Sequence, residues 1–214
     1  MTRIKICCIQ SEAEAKMALA AGADALGLVA AMPSGPGPIP EQRIAEIAAA
    51  VDTLTVLLTA RTQADDLIDH LAECPTQAVQ LVDRVAPRDI AALRAAHPQR
   101  VYIQAIHVNG PSALDAARDV WDRVDMLLLD SGSPNKAVKA LGGTGRTHDW
   151  RISAEIVRAS PIPVWLAGGL TPQNVREAVR TVRPYGVDVC SGLRRDGLLD
   201  RDLLSHFVAE VGRA

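Results

Sequence analysis

Arg3-Ile4-Lys5-Ile6-Cys7-Cys8-Ile9 is followed, after Gln10, by Ser11-Glu12-Ala13-Glu14, and the change of period between the two decides the fold. The first run reads as a strand near residues 3–9. In the second, Ser11 stands where a helix N-cap belongs and acidic residues fill the turn behind it, which predicts a helix over 11–21.

The same unit recurs to the end of the chain. Further strands are expected near 25–30, 53–59, 77–82, 101–107, 125–130, 163–167 and 186–190. Helices are expected near 41–51, 63–72, 88–96, 112–121, 151–159, 172–182 and 199–212. Thr171-Pro172 is expected to open the seventh helix, a capping hydroxyl followed by proline at the first helical position. Eight units share 214 residues, about 27 each, which approaches the smallest form of the eightfold barrel. The expected fold is therefore an α/β, (β/α)8 TIM barrel, one domain over residues 1–214. An open doubly wound sheet fits less well, because no Gly-x-Gly-x-x-Gly fingerprint follows the first strand.

Composition narrows the function. Hydrophobic residues make up 48% of the chain and aromatics only 3%, so Ala, Val, Leu and Ile must fill the core, and stacking platforms for single-stranded nucleic acid are not expected. A net charge of −2 offers no basic excess to attract a polyanion. No apolar run approaches the roughly 18 residues of a membrane span, and no charged-then-apolar leader precedes the first strand. A cytoplasmic protein with neither nucleic-acid nor membrane partners is expected. The four cysteines, at 7, 8, 74 and 190, are too few and too scattered for a disulfide framework. No histidine pairs with them at ligand spacing, so reduced thiols and no metal are expected.

In a parallel barrel the chemistry sits at the carboxyl ends of the strands. Cys7 closes the first strand pattern, and Asp130 closes Met126-Leu127-Leu128-Leu129-Asp130. Period-two alternation groups Lys5 with Cys7, and Ile4 and Ile6 with Cys8. A lysine does not suit a face packed on helices, so Lys5 and Cys7 are expected inside the barrel and Cys8 toward the helical shell. A thiol and a carboxyl so placed read as a base and acid pair. Taken singly, Cys7 reads as a small buried hydrophobe and Asp130 as a cap for the next loop.

The glycine turns shift that balance. Gly142-Gly143-Thr144-Gly145, Ala167-Gly168-Gly169-Leu170 and Ser191-Gly192 follow the sixth, seventh and eighth strands, where backbone amides can close on phosphate oxygens. Candidate substrate or phosphate contacts are Lys5, Gly143, Thr144, Gly145, Gly168, Gly169, Ser191 and Gly192. A Gly- and Pro-rich loop, Met32 to Pro38, opens at the same end.

Lys5-Ile6-Cys7, Leu127-Leu128-Leu129-Asp130-Ser131, Gly142-Gly143-Thr144-Gly145-Arg146-Thr147, Ala167-Gly168-Gly169-Leu170-Thr171-Pro172-Gln173-Asn174-Val175 and Gly186-Val187-Asp188-Val189-Cys190-Ser191-Gly192 resemble, in order, the signature segments of the phosphoribosylanthranilate isomerase family. The resemblance implies an Amadori rearrangement in tryptophan biosynthesis on a small phosphorylated substrate, without cofactor or metal. It implies Cys7 as general base and Asp130 as general acid. A homodimer is left open.

Four segments depart from the family pattern. Cys8 stands where the family has Gly, and Ser34-Gly35-Pro36 replaces Ser-Pro-Arg, whose Arg is expected to hold the anthranilate. Gln80-Leu81-Val82-Asp83 replaces Gln-Leu-His-Gly, and Ser191-Gly192-Leu193-Arg194 replaces Ser-Gly-Val-Glu. Arg61 and Arg194 are the candidates for a replacement carboxylate anchor. Two other readings stand beside the isomerase: a paralogue acting on another phosphorylated amino-sugar or sugar phosphate, and a non-catalytic phosphometabolite-binding barrel. A Schiff-base role for Lys5 is set aside, because Lys5 lies deeper in the strand than Cys7.

Overall fold

A computed structural model describes residues 1–33, 35–132 and 147–214. Eight parallel strands close into a barrel in sequence order: β1 (Arg3–Ile6), β2 (Ala25–Val29), β3 (Leu54–Thr59), β4 (Ala78–Leu81), β5 (Val101–His107), β6 (Met126–Asp130), β7 (Val164–Leu166) and β8 (Gly186–Val189). β1 pairs with β2 on one side and with β8 on the other, where Lys5 lies in register with Asp188.

Between and after the strands lie α1 (Glu12–Ala20), α2 (Glu41–Ala49), α3 (Ala64–Glu73), α4 (Pro87–Ala96), α5 (Ala113–Arg118), α6 (Trp150–Ala159), α7 (Val175–Val182) and α8 (Arg201–Gly212). Each of the sixteen expected elements is present, with boundaries shifted by a few residues.

Alternation along the strands separates two apolar clusters. Ile4, Ile6, Leu26, Leu28, Leu57 and Val79 join the helices in the outer core. Ala25, Val56, Ala78, Ile103, Leu128 and Trp165 fill the barrel interior. Trp165, only 2% exposed, occupies the amino-terminal part of that interior. It does so because its neighbour on β8 is Gly186, where any Cβ would collide with the indole ring.

Ser11 caps α1 as expected, its hydroxyl accepting from the Glu14 N–H at 3.2 Å. Other local expectations are corrected. α7 starts at Val175 rather than at Pro172. Asn174 organises the turn before it, its Oδ1 accepting from Thr171 N–H at 2.8 Å and its Nδ2 donating to the Gly169 carbonyl at 2.9 Å. A hairpin of β9 (Arg194–Arg195) and β10 (Leu198–Leu199) precedes α8 and was not foreseen.

Cys8 is the larger correction. It lies past the end of β1 with φ at 61°, in the left-handed region that disfavours a side chain, and this turn ends the alternation. Its side chain therefore joins the interior cluster and not the helical shell. There it is bonded to Cys190, 182 residues away, with Cα atoms 5.8 Å apart. The expectation of reduced thiols thus holds only for Cys7 and Cys74. Adjacency of Cys7 and Cys8 hid the pairing, since spacing alone says nothing about which strand ends meet.

One buried and one half-buried histidine make stability depend on pH. His70 of α3 shares a hydrogen bond with Thr59 Oγ1 at 3.1 Å, and burial, reinforced by Arg61 and opposed by Glu41, lowers its pKa from 6.5 to about 4. Burial likewise lowers His148 to about 4, against the opposing charge of Asp149. The folded values lie below the unfolded one, so the unfolded chain binds more protons between them. Stability present above pH 6.5 is expected to drain away toward about pH 4. Urea midpoints taken across that window check this, and His70→Gln should flatten the slope.

Candidate active site

The carboxyl ends of the strands surround a cavity that opens to solvent. Cys7, Asp130, Gly168, Gly169 and Ser191 all line it. Gly143, Thr144 and Gly145 lie outside the described residues.

Cys7 is 5% exposed and unbonded. Room for its sulfur comes from β2, because a Cβ on Gly27 would lie 2.7 Å from Cys7 Sγ. Burial, assisted by the negative charge of Asp188 and opposed by Lys5, pushes the thiol up to about 12. Asp130 is 8% exposed, and burial raises its carboxyl above the usual carboxylate range. The Ser131 N–H, donating to Oδ1 at 2.7 Å, works the other way. Each group thus favours its protonated form.

Lys5 lies beneath the cavity and is fully buried. Its ammonium meets Asp188 Oδ2 at 3.0 Å and donates to Gln80 Oε1 at 2.8 Å. Asp188 Oδ1 has no hydrogen-bond partner among the described residues, and Asp188 lines the cavity. Sequence reading missed both partners of Lys5. The signal was present, because a lysine inside a barrel demands an opposite charge, and Asp188 and Gln80 interrupt otherwise apolar inward faces.

Lys5→Met is expected to destabilise the fold by about 3–5 kcal/mol, since one partner of a buried pair is left uncompensated. Equilibrium urea unfolding measures the loss, and Lys5→Met/Asp188→Leu should recover part of it.

The model for "N-(5'-phosphoribosyl)anthranilate (PRA) isomerase" matches residues 4–210. The chain belongs to this family. The N-(5'-phosphoribosyl)anthranilate isomerase of Haloferax volcanii is 41% identical over 218 residues, covering 100% of this chain and 95% of the relative. Among solved structures, the isomerase of Pyrococcus furiosus superposes with a TM-score of 0.84 at 28% identity, with both chains fully covered. A phosphoribosyl anthranilate isomerase solved in complex with reduced 1-(o-carboxyphenylamino)-1-deoxyribulose 5-phosphate gives 0.79 at 25% identity, again over both full chains.

The departures from the isomerase family pattern can now be placed. Gly35 and Pro36, in the segment that replaces Ser-Pro-Arg, line the cavity with Met32, Leu58 and Val82, an apolar wall suited to an aromatic ring. Neither arginine offered as a carboxylate anchor is there. Arg61 donates to the Asp66 carbonyl at 3.1 Å and pairs with Glu41 at 3.5 Å. Arg194 is held bidentate by Glu14 at 3.0 and 3.1 Å, and it also donates to the Cys8 carbonyl. Among the described residues that line the cavity there is no Arg or Lys.

Proposed function

We propose that the protein isomerises N-(5'-phosphoribosyl)anthranilate to the 1-deoxyribulose product, with Asp130 as general acid and Cys7 as general base. The observation that carries this is the meeting of a buried carboxyl and a buried thiol in one cavity, beside the Gly168-Gly169 and Ser191 turns. The family's name for its reaction agrees with that pair of groups.

The glycine turns and Ser191 take the phosphate, fixing the sugar between acid and base. Asp130, whose carboxyl burial raises above the usual carboxylate range, gives its proton to the furanose ring oxygen. The C1–O bond breaks and C1=N⁺ forms. That cation acidifies the C2 proton, and Cys7 meets it as the thiolate, since the reactive form of the pair carries a single proton and that proton started on Asp130. Cys7 then removes the C2 proton to give the enolamine. Ketonisation adds a proton at C1 and releases one from the C2 hydroxyl, so no net proton is consumed. Asp188 Oδ1, buried at the cavity wall, accepts from a sugar hydroxyl.

The protein acts in the cytoplasm, in tryptophan biosynthesis, as one barrel domain, and light scattering reads whether it assembles as a homodimer. Purified enzyme mixed with phosphoribosylanthranilate should quench the fluorescence of that substrate with enzyme-dependent turnover. Absence of turnover rejects the assignment.

A further inference from the structure

We propose that Cys8 and Cys190 form a reversible redox clasp across the substrate mouth, coupled to occupancy of the site. The bond joins the residue after Cys7 to the residue before Ser191-Gly192, and both cysteines line the cavity. It therefore ties the β1 end, which carries the base, to the β8 turn that receives the phosphate. This clasp rests on the assignment of the cavity as the phosphorylated-substrate site.

The surroundings hold one half of the clasp in place. Cys8 keeps its left-handed backbone at φ 61°, and its carbonyl is gripped by Arg194, which Glu14 anchors in turn. Glu14 also accepts from the N–H groups of Gln10 and Leu199, both at 3.0 Å. Cys8 Cβ abuts Gly37 in the loop after β2, where a side chain would collide with it. With its partner released, Cys8 stays poised to re-form the bond. Among the described residues, Cys190 is held by the disulfide and by the Leu193 N–H, which donates to its carbonyl at 3.1 Å.

Cys8 is 4% exposed and Cys190 half-buried, and both residues line the cavity, so a reductant approaches them through the mouth that substrate occupies. A small dithiol gives two electrons and two protons to the S–S bond, leaving thiols at Cys8 and Cys190 and closing its own sulfurs into a disulfide. A small disulfide oxidant reverses the exchange. Opening the clasp loosens the phosphate turn while Cys7, Asp130 and Lys5 keep their own strands and contacts. Reduction should thus raise KM and leave kcat within about twofold. By linkage, if reduction weakens ligand binding by a given factor, bound ligand makes the bond harder to reduce by the same factor, about fivefold or more for an effective coupling.

The test equilibrates the whole enzyme in buffers of reduced and oxidised dithiothreitol, with and without reduced 1-(o-carboxyphenylamino)-1-deoxyribulose 5-phosphate. Alkylation and mass spectrometry then count Cys8 and Cys190 thiols. Ligand should move the midpoint at least about fivefold toward the reducing side, the reduced enzyme should bind that ligand more weakly by the same factor, and its KM for substrate should rise. Cys190→Ser and, separately, Cys8→Gly should behave like reduced enzyme and ignore the redox buffer. A midpoint that ligand does not move, or cysteines that alkylate fully in never-reduced protein, overturns the clasp. Lack of turnover in every redox state instead overturns the isomerase assignment, and the thiol count still decides whether the bond exists.

Discussion

Asp130→Asn is expected to lower kcat by about 10²- to 10⁴-fold, the contribution of a positioned general acid, with little change in folding stability. Its signature lies in the pH profile. The reactive state carries one proton on the pair, thiolate on Cys7 and acid on Asp130, so kcat/KM of the parent should fall tenfold per pH unit below the raised pKa of Asp130. It should be level above that value and fall again only toward about 12, where Cys7 titrates. Asparagine removes the lower limit. The variant's residual rate should rise through the whole accessible range, and a variant that retains the parent's plateau would remove Asp130 from the acid role.

Cys7→Ser should cost a comparable factor, about 10²- to 10⁴-fold in kcat, because a hydroxyl is a far weaker acid than a thiol and yields little anion even beside the iminium cation. The two variants separate through a substrate deuterated at C2. With the base impaired, C–H cleavage limits the rate and the isotope effect should grow. With the acid impaired, ring opening limits and the effect should shrink. An isotope effect that moves the same way in both variants would contradict the division of labour. The hydroxyl fits the space that Gly27 leaves for the sulfur, so the loss would not arise from misfolding.

Most of the barrel was legible because its signals are local. Apolar runs of strand length alternate with stretches of helical period, and capping residues such as Ser11 mark where one gives way to the other. Inward placement of Lys5 followed from alternation, a rule that holds only while the backbone stays extended. It failed one residue past the strand, where the left-handed turn at Cys8 carried that side chain into the mouth. The Cys8–Cys190 bond joins residues 182 apart, and no property of either segment predicts the other. Asp188 is inconspicuous in its own segment, because its importance comes from Lys5 across the β1–β8 seam. Arg194 misled for the opposite reason: loop position suggested an available cation, and Glu14, distant in sequence, had already claimed it.

The interior below the mouth is sealed twice, by the Lys5, Gln80 and Asp188 layer and beneath it by the Trp165 ring packed against Gly186. A blind-ended vessel gives arriving and departing molecules one shared doorway. Each turnover must therefore end with the ketose backing out along the path by which the aldose entered, so the two compete for the same passage.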